Sequence, residues 1–82
     1  MKLVPVKSSN ILEVGYSKSA KEFFVRFKDG VVYRYLNVEE SVFNAFLTAP
    51  SKGQFFHNFI KGRFTTTKLA PQELQKLEAI EP

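Results

Sequence analysis

The stretch from Glu22 to Leu36, EFFVRFKDGVVYRYL, constrains the chain more than any other. Aromatic and β-branched residues alternate on either side of Asp29-Gly30, a dipeptide suited to the positive φ values of a tight hairpin turn. Two registers are open to such a hairpin. A plain two-residue turn sets Lys28 opposite Val31 and Arg26 opposite Tyr33, mixing basic side chains with the tyrosines. A three-residue loop with Gly30 as a left-handed bulge sets Phe27 opposite Val31 and Val25 opposite Tyr33. The second sorts the residues better. Phe23, Val25, Phe27, Val31, Tyr33 and Tyr35 then share a face to be buried, while Phe24, Arg26, Lys28, Val32, Arg34 and Leu36 point outward. A slip of one residue moves all of them to the wrong side, so the bulged hairpin is preferred.

Upstream, ILEVGY places Leu12, Val14 and Tyr16 at alternate positions, a further half-buried strand, with Ile11 marking a bulge or a cap on the sheet edge. Downstream the apolar period lengthens to three or four. Val42, Phe43, Phe46 and Leu47 predict a helix from about Glu39 to Thr48, with Glu39 and Glu40 where the helix dipole favours carboxylates. Pro50 stops it. Ser51 and Gln54 have the spacing of a capping box, Phe55, Phe56, Phe59 and Ile60 form the stripe of a second helix, and Gly62 is placed to end it. Phe64 returns to the core, Thr65 to Thr67 favour an extended segment, and Leu74, Leu77 and Ile80 predict a short helix from Pro71 that needs a surface to pack on. The expected fold is α+β: a three-stranded antiparallel β-meander followed by two helices packed on one face, plus a short C-terminal helical tail.

At 82 residues this is one domain, 1–82, near the lower size limit for independent folding. Nine Phe and three Tyr supply the core, since a buried ring contributes roughly 2–3 kcal/mol against conformational entropy. The absence of Cys excludes a disulfide framework and a thiolate metal site, and makes the cytoplasm the default location. In MKLVPVKSSN the apolar stretch is broken by Pro5 and is too short for a signal peptide, so export is not expected. No apolar run approaches the roughly eighteen residues of a membrane span, so a soluble protein without membrane association is expected.

Charge divides unevenly along the chain. Residues 1–68 carry eleven Lys and Arg against five Asp and Glu, whereas 69–82 carry Lys76 against Glu73, Glu78 and Glu81. A basic body attracts polyanions, whether nucleic acid, an anionic membrane surface or an acidic protein, and it also simply confers solubility.

Catalytic chemistry finds little foothold. His57 is the single histidine and lies off the Phe stripe, so it is expected in solvent rather than on a metal, which needs three or four ligands. Ser51 is explained by capping, and Glu39 and Glu40 point about 100° apart on a helix, which does not assemble an acid–base pair. Gly15, Gly30, Gly53 and Gly62 have no phosphate-loop spacing. No catalytic residue, metal or cofactor is expected. Gly53, inside the first turn of a helix, carries two readings: another element crosses close to the backbone, or the free amides there receive an anion. Close packing is the plainer of the two. Basic residues with aromatic neighbours remain. Arg26, Lys28 and Arg34 flank Phe24 on the outward hairpin face, and Lys52, Gly53, Lys61 and Arg63 lie along or just after the second helix. Rings stack bases while Lys and Arg neutralise phosphates, and these eight residues form the candidate nucleic-acid-binding set.

Together, SSNILEVGYS, FFVRFKDGVVYRYLNV and SKGQFFHNFIKGRF resemble the KTSC domain, a short bacterial and phage module named after the C-terminal domain of some lysyl-tRNA synthetases. Tyr33-Arg34-Tyr35 matches that family's YxY element. Ile11, Gly15, Tyr16, Phe27, Gly30, Val38, Ser51, Gly53, Phe56, Ile60 and Lys61 also fall where its pattern places such residues. The resemblance runs from Ser8 to Leu69 and leaves residues 70–82 as a helical tail outside it. Phe64 departs from the family's frequent Tyr, and Thr65 to Thr67 from its more basic or aromatic residues. The resemblance implies a small non-catalytic binding module and, through the synthetase attachment, RNA or another polyanion as partner. The alternative is a protein–protein interaction or regulatory module that docks an acidic partner. An exposed apolar patch at Phe24, Val32 and Leu36 would favour that alternative. Tyr33 and Tyr35 are either stacking residues or, as the preferred register has it, core residues with their hydroxyls on polar partners. An anion, if bound, is expected at the amides of Lys52, Gly53 and Gln54, with Arg26 and Arg34 extending the field only if the hairpin lies beside that helix.

Overall fold

The computed structural model describes residues 3–79. Their element order is β1 (Val4–Pro5), β2 (Ile11–Ser17), β3 (Glu22–Phe27), β4 (Val32–Tyr35), α1 (Glu40–Thr48), α2 (Lys52–Phe59), β5 (Thr66–Lys68) and α3 (Pro71–Ala79). Among the described residues the sheet has five strands in the order β1-β2-β3-β4-β5, each antiparallel to its neighbour. The expected three-stranded meander is therefore its centre, extended by one short strand on each edge. A two-residue strand that includes a proline and a three-residue Thr-Thr-Lys strand are too short to show an alternating pattern. Both are suited to an edge, where Pro and Lys discourage further pairing.

The hairpin takes the bulged register. Val25 faces Tyr33 and Phe23 faces Tyr35, the Phe27 amide donates to the Val31 carbonyl at 3.0 Å, and the Gly30 amide donates to the Phe27 carbonyl at 2.8 Å. Gly30 has φ +93°, a conformation that costs a side-chain-bearing residue heavily. Asp29 accepts the Val31 amide on Oδ1 at 2.9 Å. The loop thus fixes which residues of β3 and β4 meet α1 and α2.

On that side Phe23, Val25 and Tyr35 join Ile11, Val14, Val38, Phe46, Phe56 and Ile60 in the main core. Its rings pack mostly edge to face: Phe23 lies 5.2 Å from Phe46 and 5.4 Å from Phe43, and Phe56 lies 5.3 Å from Phe27 and 5.5 Å from Tyr35. Such pairs add about 0.5–1.5 kcal/mol each beyond area burial. Tyr16 stacks on Phe43 at 5.0 Å and donates its hydroxyl to the Val38 carbonyl at 2.6 Å, tying β2 to the entrance of α1.

The opposite face corrects the sequence reading. Phe24 and Val32, expected outside, are 1% and 2% exposed, packed with Leu3, Leu69 and the half-buried Leu74 in a second core. The chain before β1 and the segment from Leu69 into α3 cover this face, so the sheet is sandwiched rather than covered on one side. The tail helix has found its surface. The Leu77 side chain and Ile80, assigned to the same stripe, lie outside the described residues. Strand β2 has the bulge that Ile11 marked, the register shifting between Ile11 and Glu13, and it corrects the placing of Leu12. This shift leaves Leu12 43% exposed while Ile11 is wholly buried with Val14. One extra residue lets both sides of the bulge present an apolar side chain to the core.

The helix ends obey their local signals. Ser51 Oγ accepts the Gln54 amide at 3.3 Å. Gly62, at φ +77°, carries the chain out of α2. Ala49 turns extended just before Pro50, as the proline ring requires of its predecessor. Glu39, expected in the first turn of α1, is instead its N-cap residue. Its side chain makes no capping bond and takes Lys21 Nζ at 2.9 Å.

The two cores set a contrast that mutation can read. Phe24→Ala is expected to destabilise the fold by about 3 kcal/mol or more, and Leu12→Ala by less than about 0.5 kcal/mol, in urea denaturation. Equal, small effects would mean that the second face is not a packed core.

Candidate nucleic-acid interface

Ser8 folds the segment before β2 back on itself, its Oγ accepting the amides of Asn10 and Ile11 at 3.3 Å each. This turn brings residues 7–10 against the start of α2, where the polar hollow between them reaches from Lys7 to His57. A second hollow continues past Gly53 to the hairpin end at Lys28 and Tyr33, and a third runs on between Phe56, Lys61 and Tyr35. Their volumes are about 460, 470 and 320 Å³. Gly53 and His57 border the first two, and Tyr33, Phe56 and Lys61 the last two, so they form one trough along α2.

Four lysines, Lys7, Lys28, Lys52 and Lys61, stand along this trough, and none has an ion pair among the described residues. Asp29, a carboxylate on the same rim, accepts the Val31 amide. Half-buried Phe27 and Tyr33 form much of the aromatic wall, with their rings 5.8 Å apart and edge to face. Lys7 and Lys52 thus border the polar end of the trough, and Lys28 and Lys61 the aromatic part.

Of the eight residues singled out by sequence, Lys28, Lys52, Gly53 and Lys61 come together here. The other four do not. Phe24 is buried in the second core, so its ring is not available for stacking. Arg26, on the same side of the sheet as Phe24, is half-buried against Glu13 at 3.0 Å. Arg34 donates from Nε to Thr67 Oγ1 at 3.2 Å on that side too. Neither arginine lies beside α2, so neither extends a field there. Arg63 donates from Nε to the Asn58 carbonyl at 3.1 Å and so serves the C-terminal end of α2.

The helix start is also narrower than expected. Gln54's amide is taken by Ser51, which leaves those of Lys52 and Gly53 as first-turn donors without intrahelical acceptors. A Cβ at Gly53 would meet Ser8 Oγ at 3.8 Å, an ordinary contact, so close packing does not require this glycine. Sequence reading missed Lys7 and the Ser8–Asn10 turn, and weighed Tyr33 as a stacking residue without placing it here. A serine two residues before an asparagine, at the entrance to a strand, was the one local signal for the turn.

The tyrosines divide. Tyr35 is buried, Tyr33 half-buried, and neither hydroxyl bonds to a described residue, contrary to the expected polar partners. Burial first, and then neighbouring Tyr33, push the Tyr35 phenol from its ordinary 10.0 up to about 12. Burial, followed by the carboxylates of Glu40 and Glu39, also raises Tyr16. Among the described residues no group of three or more His, Cys, Asp or Glu is placed to hold a metal ion. No helix among them is long and apolar enough to cross a membrane.

A five-stranded antiparallel meander with helices packed on it, and an open trough lined by lysines along one of them, defines a small α+β domain. Its family model matches residues 7–64, and the chain belongs to the KTSC domain family. It is 38% identical over 68 residues to a lysine–tRNA ligase of Trichormus variabilis, a match covering 83% of this chain but 12% of the ligase. An uncharacterized protein of Stutzerimonas stutzeri is 36% identical over 61 residues, which span 74% of this chain and 86% of that protein. The crystal structure of a KTSC domain protein from Yersinia pestis superposes with a TM-score of 0.82 at 38% identity, covering 84% of this chain and 97% of that one. The family match ends at Phe64, before β5 and α3.

Two measurements test this geometry. Gly53→Ala is expected to stabilise the fold by about 0.5 kcal/mol in thermal or urea unfolding, because alanine favours the helix and meets no obstacle. A loss of more than about 1 kcal/mol would restore the close-packing reading. The second concerns Tyr35. Below pH 10 both folded and unfolded chains hold its proton. As pH rises from 10 toward 12 only the unfolded chain releases it, so stability falls. The urea midpoint is expected to drop across that window, and Tyr35→Phe to remove much of the drop. An undiminished drop in the variant would show that the Tyr35 phenol is not held up by the fold.

Proposed function

We propose that this domain is a non-catalytic accessory module that binds single-stranded RNA in the trough along α2. The observation that carries the reading is the placing of Lys28 and Lys61 beside Phe27 and Tyr33, with Lys7 and Lys52 bordering the adjoining hollow. Lysines neutralise phosphates without regard to sequence, and a partly open aromatic wall offers bases a surface on which to stack. The similarity to lysine–tRNA ligases supports RNA over other polyanions, since a domain carried by an enzyme that acts on tRNA has RNA as its near neighbour. A protein partner docking on Phe24, Val32 and Leu36 loses its support, because Phe24 and Val32 are buried.

Titration of the chain with single-stranded RNA and with duplex DNA at low and raised salt tests the proposal. Single-stranded RNA is expected to bind more tightly, with affinity falling steeply as salt rises. The double variant Lys28→Ala, Lys61→Ala should weaken binding about tenfold and reduce the salt slope, because two phosphate contacts are lost. Arg26→Ala and Arg34→Ala, on the covered face, should leave affinity within about twofold. Absence of RNA binding at low salt would defeat the proposal, and a larger loss from the arginine variants would move the site to the opposite face.

A further inference from the structure

The two larger hollows of the trough meet at His57, which borders both. It lies one turn beyond Gly53 on α2, so the two share the side of the helix that meets the turn at residues 7–10. Its side chain is exposed and makes no ion pair among the described residues.

The charges around His57 come from each element that forms these hollows. Lys7 belongs to the segment before β2, Lys52 to the first turn of α2, and Lys61 to the chain just after α2. Lys28 and Asp29 come from the hairpin end, with the Tyr33 phenol on the same hollow. Ammonium groups, carboxylates and phenols do not ordinarily change charge between about pH 5 and 8, whereas an imidazole does. Among the side chains lining these hollows, His57 is therefore the one through which pH alters the charge of the trough.

A phosphodiester chain laid among the lysines brings negative charge to the imidazole. Once protonated, His57 gains an attraction in that complex which the free chain, with lysines as its neighbours, does not supply. Linkage makes the effect reciprocal: a complex that favours the proton is itself favoured by the proton. Affinity is then greatest when His57 is charged, and it declines as pH rises and the proton leaves.

We propose that His57 is a proton-dependent fifth cation of the trough, so that single-stranded RNA is held more tightly in mildly acidic solution and more weakly as pH rises. This rests on the RNA-binding reading and adds regulation to it. Four lysines set the baseline affinity, and His57 makes it respond to pH.

A uridine oligomer without terminal phosphates provides the test, because a terminal phosphate would itself titrate near pH ~6. The intact chain is expected to bind it about threefold more tightly at about pH 5.5 than at about pH 8, half on a logarithmic scale of the effect of two lysines, and with a steeper salt dependence at the lower pH. His57→Gln should bind alike at both pH values, at the weaker wild-type affinity. His57→Lys, with a fixed charge, should hold the stronger affinity at both. A wild-type affinity independent of pH, or an equal response in the Gln variant, would overturn the proton link and leave the RNA-binding proposal standing. Absence of binding at either pH in low salt would overturn both.

Discussion

Gly30 holds the hairpin in its bulged register, and nearly every other placement in the domain follows from that one left-handed residue. With φ at +93° it closes a three-residue loop in which the Phe27 and Val31 backbones bond to each other, and Asp29 secures the turn from the side. Phe23, Val25, Tyr33 and Tyr35 are thereby turned toward α1 and α2, and Phe24, Arg26, Val32 and Arg34 toward the opposite face. In the alternative register Arg26 and Lys28 would join the tyrosines beneath the helices, at a desolvation cost.

Covering the second face sorts the basic residues into two populations. Those beneath the N-terminal segment and α3 become structural: Arg26 pairs with Glu13 across β2 and β3, and Arg34 bonds to Thr67 across β4 and β5. Those along α2 keep their charge toward solvent. A basic composition alone does not distinguish the two, because the difference lies in which face of the sheet receives the tail.

How much of this was legible depended on the length of each signal. The hairpin, α1, α2 and their caps are carried by long periodic runs with Asp29-Gly30, Pro50, Ser51 and Gly62 as punctuation, and the structure follows them closely. Strands β1 and β5 were too short to alternate, and the bulge at Leu12 exchanged the roles of Ile11 and Leu12 because an extra residue reverses the pattern. Phe24 was misplaced for a different reason. Its burial depends on Leu3 and Leu69, which lie 21 residues before it and 45 after it in sequence, and strand alternation says nothing about what covers a face. Of the candidate site, the helix-borne and loop-borne lysines were legible as charges, whereas the meeting of the Ser8 turn with Gly53 was a matter of tertiary contact alone.

The sheet order deserves one last consequence. Because β1 to β4 pair in succession across short connections, that part of the sheet can grow by successive local closures, and β5 joins its edge after α1 and α2. Pairings between neighbouring segments of this kind close quickly. A domain assembled in this way carries its folding instructions within itself and places little demand on what it is joined to. The same architecture is thus as serviceable appended to a much larger enzyme as it is in a protein scarcely longer than itself.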